Sequence, residues 1–314
     1  MTDVLVTLLL FAVGPVLLAE ALLARYEVLA YQAGWHRPPI AGPDGMAYAR
    51  GAGPDRPPTA YLVYLDGIGK RRFRDSRDSG RLVQAVVDRA PGVRVLGQVL
   101  PYSPMVSPLA ERPGWRWLRR HAGVLLFVHN AMQVFIAADR RYRPMYNHAV
   151  GDQIAAQLRL AGYREDSGIP VVLAGYSGGA QLATGAVTPL HNRLRAPIHV
   201  ILLGGFHSGT NDLSQVARVD RITGSGDRVE RVGSWIFPRR WPVWRRSAWN
   251  RARRAGLVTD HRFAGWTHVG PRGYLSDAHL ESTITEVLAI IGAITPPSGP
   301  VPTVPATVPE RPRS

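Results

Sequence analysis

Residues 169–187 read IPVVLAGYSGGAQLATGAV. The first half is a short apolar, β-branched run, the pattern of a buried strand. The second half spaces its apolar residues as a helix does. Ser177 stands at the handover, with Gly175 and Gly179 two residues to either side and Gly178 next to it. With 32 glycines in 314 residues, a serine so flanked carries little weight alone. Its setting gives it weight. A nucleophile on a sharp strand-to-helix turn needs small neighbours, because a Cβ would clash there, and it needs the helix amino terminus behind it to favour a developing anion.

The pattern repeats outward from this point. TAYLVYLDG (59–67), GVRVLGQVLPY (92–102), APIHVILLGG (196–205), VDRITGSG (219–226) and VTDHRFAGWTHV (258–269) read as strands. SGRLVQAVVDRA (79–90) and STITEVLAIIGAI (282–294) have helical spacing. Strands alternating with helices predict βαβ units, right-handed crossovers and a mostly parallel sheet with helices on both faces. Loops at the carboxyl ends of such strands carry function.

Strand, GYSGG and helix together make the chain resemble the α/β-hydrolase fold over residues 59–294. That family orders its reactive residues serine, acid, histidine. GSGDRV (224–229) ends a strand and offers Asp227 as the acid; THVGPRGYL (267–275) follows the last strand and offers His268 as the base. The resemblance implies that His268 takes the serine proton, that Asp227 holds its imidazole, and that two N–H groups bind the oxyanion. One donor would be Gly178. The other would come from YLDGIGKRRF (64–73), with Ile68 as the donor and Gly67 permitting the turn; Asp66 stands where many family members carry histidine. Asp212 and Asp260 compete for the acid position, and His279, His207 and His261 are alternatives to His268.

Composition bounds the partners. Lys and Arg number 38 against 23 Asp and Glu, a formal charge of +15, and Lys70 is the only lysine. The basic residues are spread along the chain without a nucleic-acid module, so no nucleic-acid partner is expected. The absence of cysteine excludes disulfides, thiol catalysis and zinc–thiolate sites. DGIGK lacks the following Ser or Thr of a phosphate-binding loop, and no carboxylate cluster accompanies the histidines. Neither metal nor cofactor is expected.

Residues 1–25 predict an anchor: Val4–Leu18 is apolar apart from Thr7, and Glu20 is the one charge through Leu23. Arginines following the segment would place the main domain in the cytoplasm. Residues 26–58 read as a linker or irregular arm, and the Pro-rich stretch 295–314 as a disordered tail. Two stretches interrupt the rhythm as insertions over the site, 104–164 and 235–256. Both interleave Trp with Arg, which suits an anionic membrane surface. The expectation is a membrane-associated serine hydrolase of carboxylic esters, with lipid acyl esters in view. A silent scaffold of the same fold, and thioesterase or acyl-transfer chemistry on the same residues, are the alternatives.

Overall fold

A computed structural model of the chain describes residues 2–35, 57–69, 77–97 and 123–295, with 113 and 117. Six strands form one parallel sheet: β1 (Ala60–Leu65), β2 (Val93–Leu96), β3 (Val171–Tyr176), β4 (Ile198–Leu203), β5 (Val216–Gly224) and β6 (Val258–Phe263), in the order β2-β1-β3-β4-β5-β6. Every adjacent pair is parallel. Of the second predicted strand only the first part is β2; residues 98–102 lie outside the described residues.

Alternating side chains divide the core in two. Tyr61, Val63, Leu65, Val171, Leu173, Val200 and Leu202 point to one face, and Leu62, Tyr64, Val172, Ala174, Ile201 and Leu203 to the other. The second face is covered by α2 (Arg77–Arg89) and α8 (Leu280–Ile294). The first is covered by α3 (Gly123–Ala138), α4 (Arg143–Leu160) and α5 (Gly179–Leu194). Two further helices, α6 (Arg228–Ile236) and α7 (Ala248–Arg254), lie between β5 and β6. This is the α/β-hydrolase architecture, with both faces of a parallel sheet buried under helices.

The chain leaves β1 toward β2 on one side and returns to place β3 on the other. The loops after β1 and β3 therefore diverge and open a crevice at the carboxyl end of the sheet. Within the stretch 104–164, α4 is fully part of the helical layer. Its Ala149, Val150, Ile154 and Leu158 are buried, and Gly151 lies where a Cβ would be 2.6 Å from Pro189 of α5. It is the crossover into β3, while α3 reaches the crevice.

The boundary of the predicted arm requires correction. Residues 2–32 form one helix, α1 (Thr2–Gln32), so the arm begins later than residue 26. Among the described residues no helix is long and apolar enough to cross a membrane. The carboxyl half of α1 packs against α3. Ala24 and Val28 enter the core beside Val134 and Ala137 of α3. Glu20 and Glu27 are buried with them, and His129 bridges the two, Nδ1 at 2.6 Å from Glu20 and Nε2 at 3.1 Å from Glu27. Gln133 donates to Glu27 at 2.9 Å. The buried glutamates face α3, while Leu18, Leu22 and Leu29 are exposed. The side chains of residues 1–13, most of the arm and the Pro-rich tail beyond Thr295 lie outside the described residues.

Candidate active site

Ser177 follows β3 directly and has φ of +53°, a left-handed conformation that non-glycine residues adopt at a cost. Its backbone is held on both sides: its N–H donates to Leu203 O at 3.0 Å, and its carbonyl accepts from Phe206 N at 3.0 Å. The flanking glycines are steric necessities. A Cβ on Gly179 would lie 2.2 Å from Leu65 O, and one on Gly175 would lie 2.7 Å from Gly179 O. The strand-to-helix turn expected from GYSGG is therefore present, with Ser177 at its tip.

His268, in the loop after β6, brings Nε2 to 2.8 Å from Ser177 Oγ. Its Nδ1 lies 3.0 Å from Asp227 Oδ2. A carboxylate only accepts, so Nδ1 carries the hydrogen and Nε2 is left to accept from the serine. All three side chains are largely buried. The rivals lie elsewhere. His279 stacks on Trp266 with ring centroids 4.6 Å apart. His261 sits between Asp220 and Glu286, and His207 packs against Trp249. Asp212 closes its own turn by accepting from Ser214 N, and Asp260 pairs with Arg221 at 2.5 Å.

Asp227 uses both oxygens. It is the N-cap of α6, with Oδ1 accepting from Glu230 N at 2.9 Å. Oδ2 accepts from His268 and also from Tyr274 Oη at 2.8 Å. Burial pushes the Asp227 carboxyl upward, but hydrogen bonds from His268, Glu230 and Tyr274 outweigh it and hold the group below its ordinary value. Tyr274 in turn accepts from Gly224 N at 2.7 Å, and burial beside Asp227 drives its phenol far upward, so it remains a donor.

Tyr176, the residue before the serine, stacks on His268 at 5.3 Å and 16°. Its hydroxyl donates to His268 O at 2.7 Å. The imidazole is thus held by a ring against its face and by bonds at both nitrogens. Neither tyrosine is among the residues that the sequence pattern singles out. Tyr274 lies in the quoted THVGPRGYL, and its position in the same loop as His268 was the available signal.

The loop after β1 borders the serine. A Cβ on Gly67 would lie 3.2 Å from Ser177 Cβ. Gly67 N donates to Asp66 Oδ1 at 2.8 Å, and Ser79 Oγ donates to the same oxygen at 3.1 Å. Asp66 therefore ties the turn to α2 and occupies the Gly67 N–H. That leaves Ile68 and Gly178 as the N–H candidates for an oxyanion, with Gly67 as the turn. A cleft of about 730 Å³ opens over Ser177 and His268, bounded by Gly67, Ile68, Phe127, Val229 and Val269.

The second insertion is anchored to this centre. Glu230 of α6 bonds to Arg221 at 3.0 Å and to Arg240. Burial raises the Glu230 carboxyl, but the charges of Arg240 and Arg221 prevail and hold it below its ordinary value. Arg240 also lies over the fully buried Trp249. Asn250 Nδ2 donates to the carbonyls of Trp241 at 2.7 Å and Trp244 at 3.1 Å. The Trp/Arg-rich stretch is thus partly a packed unit: Trp249 is core, while Trp235 is 73% exposed.

No family model matches the chain, and no curated relative does. Solved structures similar to it include esterase PE8, at 17% identity over 77% of this chain and 99% of that one, with a TM-score of 0.44. A dienelactone hydrolase from Anabaena variabilis is 12% identical over 76% of this chain and 86% of that one, TM-score 0.44. A carboxylesterase from Mesorhizobium loti is 16% identical over 73% and 88%, TM-score 0.40. At this overlap the likenesses carry no information about substrate.

Proposed function

We propose that this chain is a serine hydrolase of carboxylic esters that works through an acyl-enzyme. The observation that carries the reading is the continuous path from Ser177 Oγ to His268 at 2.8 Å and on to Asp227 at 3.0 Å, on a strained turn at the sheet's crevice. Ser177 Oγ attacks the ester carbonyl carbon as its proton passes to His268 Nε2. The N–H groups of Gly178 and Ile68 receive the charge on the carbonyl oxygen. The tetrahedral adduct collapses, the bond to the alcohol oxygen breaks, and the imidazolium gives that oxygen its proton. Water then attacks the acyl carbon and yields a proton to His268. The second adduct releases the carboxylic acid, and the proton returns to Ser177. Asp227 stays ionised and stabilises the imidazolium in both halves.

The test is labelling of the whole protein by a fluorophosphonate, followed by turnover of a short p-nitrophenyl ester. Wild type should label and turn over. Ser177→Ala should do neither, and His268→Ala should lose on the order of a thousandfold or more in kcat. Folded wild type that neither labels nor turns over would leave only the scaffold reading.

An anionic membrane surface is proposed as a partner. Exposed Trp235 and Val243 support it, as does Arg239 stacked over half-exposed Trp244 at 4.3 Å. Co-sedimentation with vesicles of anionic lipid should fall steeply with added salt and should drop in Trp235→Ser. Binding that ignores both would remove this partner.

A further inference from the structure

Two helices each place an apolar side chain at the cleft. On α3, Phe127 lines the cleft beside Ser177; on α6, Val229 does the same. Eight residues further along the chain from each stand Phe135 and Phe237, whose ring centroids are 6.2 Å apart. Phe206 lies beneath both, at 6.0 Å from Phe135 and 5.2 Å from Phe237. Its N–H is bonded to the Ser177 carbonyl, so this floor is joined to the nucleophile itself. Gly233 allows α6 to sit down on it, since a Cβ there would lie 2.7 Å from the Phe206 ring. An apolar strip on each helix thus starts at the cleft and ends at a cluster of three aromatic rings, about 12 Å away along α3 at 1.5 Å of rise per residue.

The residues along these strips are exposed to a degree that packing does not explain. Phe127 is 51% accessible and Val232 48%, with Phe135, Val229 and Ile236 each above a third. Contiguous apolar surface that leads into a reactive centre is a binding feature. Its lining has neither charge nor hydrogen-bond donor among the side chains just named, which suits a hydrocarbon and not a sugar, a nucleotide or a polar peptide.

We infer that the apolar strips of α3 and α6 form a trough that holds the unbranched hydrocarbon chain of the substrate, and that the ring cluster at its far end sets a preference for medium chains. This rests on the hydrolase reading of Ser177. The start of both strips at the cleft, and the eight residues that separate each start from the ring cluster, favour a chain over a second copy of the protein.

The experiment is a profile of kcat/KM over p-nitrophenyl acetate, butanoate, octanoate and palmitate, with the full chain. Wild type should prefer octanoate to acetate by at least about tenfold, a small part of what complete burial of the added methylenes would give. Palmitate should fall below octanoate. Val229→Trp, which narrows the entrance, should bring the octanoate-to-acetate ratio to within about threefold of unity. Phe135→Ala, which opens the far end, should raise palmitate relative to octanoate. That gain of function does not arise from misfolding. A flat profile, or one falling from acetate onward in wild type that labels with fluorophosphonate, would overturn the inference and leave the hydrolase reading standing. No labelling and no turnover of any ester would instead remove the hydrolase reading. Concentration-dependent dimerisation abolished by Phe127→Ser, together with a flat profile, would assign the apolar faces to a second copy.

Discussion

Asp227 shows how much one carboxylate can be asked to do. Its two oxygens cap a helix, orient the imidazole and accept from Tyr274. Because the folded group titrates below its ordinary value of 3.8, its contribution to stability is present above that value and is lost as pH falls through the folded one. Tyr274→Phe removes a donor to the charged form and strands Gly224 N–H. The variant should be destabilised at neutral pH by about 1.5–3 kcal/mol, the range for hydrogen bonds to charged groups. The deficit should shrink as pH falls through the folded titration and the carboxylate takes up its proton. Urea titrations at several pH values would measure it; an equal deficit at every pH would deny Tyr274 this role. The serine and its glycines were readable from sequence because a strained turn restricts composition locally. Tyr274 was not, because its donation depends on β5 and the loop after β6 meeting.

At the scale of elements, the elbow tolerates almost nothing. Gly179→Ala would force a methyl into the carbonyl of Leu65 at 2.2 Å. The loss should be about 3 kcal/mol or more, read from thermal or urea unfolding. The docking of α1 is the opposite kind of feature, polar and specific. His129→Leu would leave Glu20 and Glu27 without the ring that now lies between them. Taking one partner from a buried hydrogen-bonded group costs about 1–3 kcal/mol. The expected sign is earlier proteolytic cutting near Arg25 than in wild type, with the fluorophosphonate reaction less affected. Equal cutting rates would mean that α1 is held by its apolar contacts alone. In the sequence, Glu20 reads as the one charge in an apolar run, and Glu27 falls in the stretch read as a linker or arm. Their meaning lies on α3, more than a hundred residues away, where no local pattern could display it. The same holds for α4, whose role as a crossover emerges only when Gly151 meets Pro189.

For the molecule as a whole, the sheet was legible because each buried strand is a compact apolar run set off by turn residues. The insertions were harder, because Trp and Arg serve a surface and a core equally well: Trp249 is wholly buried and Trp235 mostly exposed. The network around Glu230 adds a global pH dependence. Glu230 and Asp227 both titrate below their ordinary values of 4.5 and 3.8. Stability should therefore be level above those values and fall as pH drops through the depressed ones, measured as the thermal midpoint from pH 6 to pH 2. Glu230→Gln should flatten part of that fall. By contrast, the surface pairs Arg81–Asp277 and Arg89–Glu281, which join α2 to the chain around α8, are exposed. Removing either should leave the thermal midpoint close to that of wild type, because solvent screens exposed pairs.

The side chains of Ser177, Asp227 and His268 hang from the ends of β3, β5 and β6, and the separations between partners are 91 and 41 residues. No fragment of the chain can hold them together, since each comes to its place only through the strands between. Contacts so distant form slowly and late. Reaction with a serine-directed probe would then act as a head-count of finished molecules. In a refolding experiment the labelled fraction should trail the recovery of helical signal, and should converge with it only when the last strand has joined.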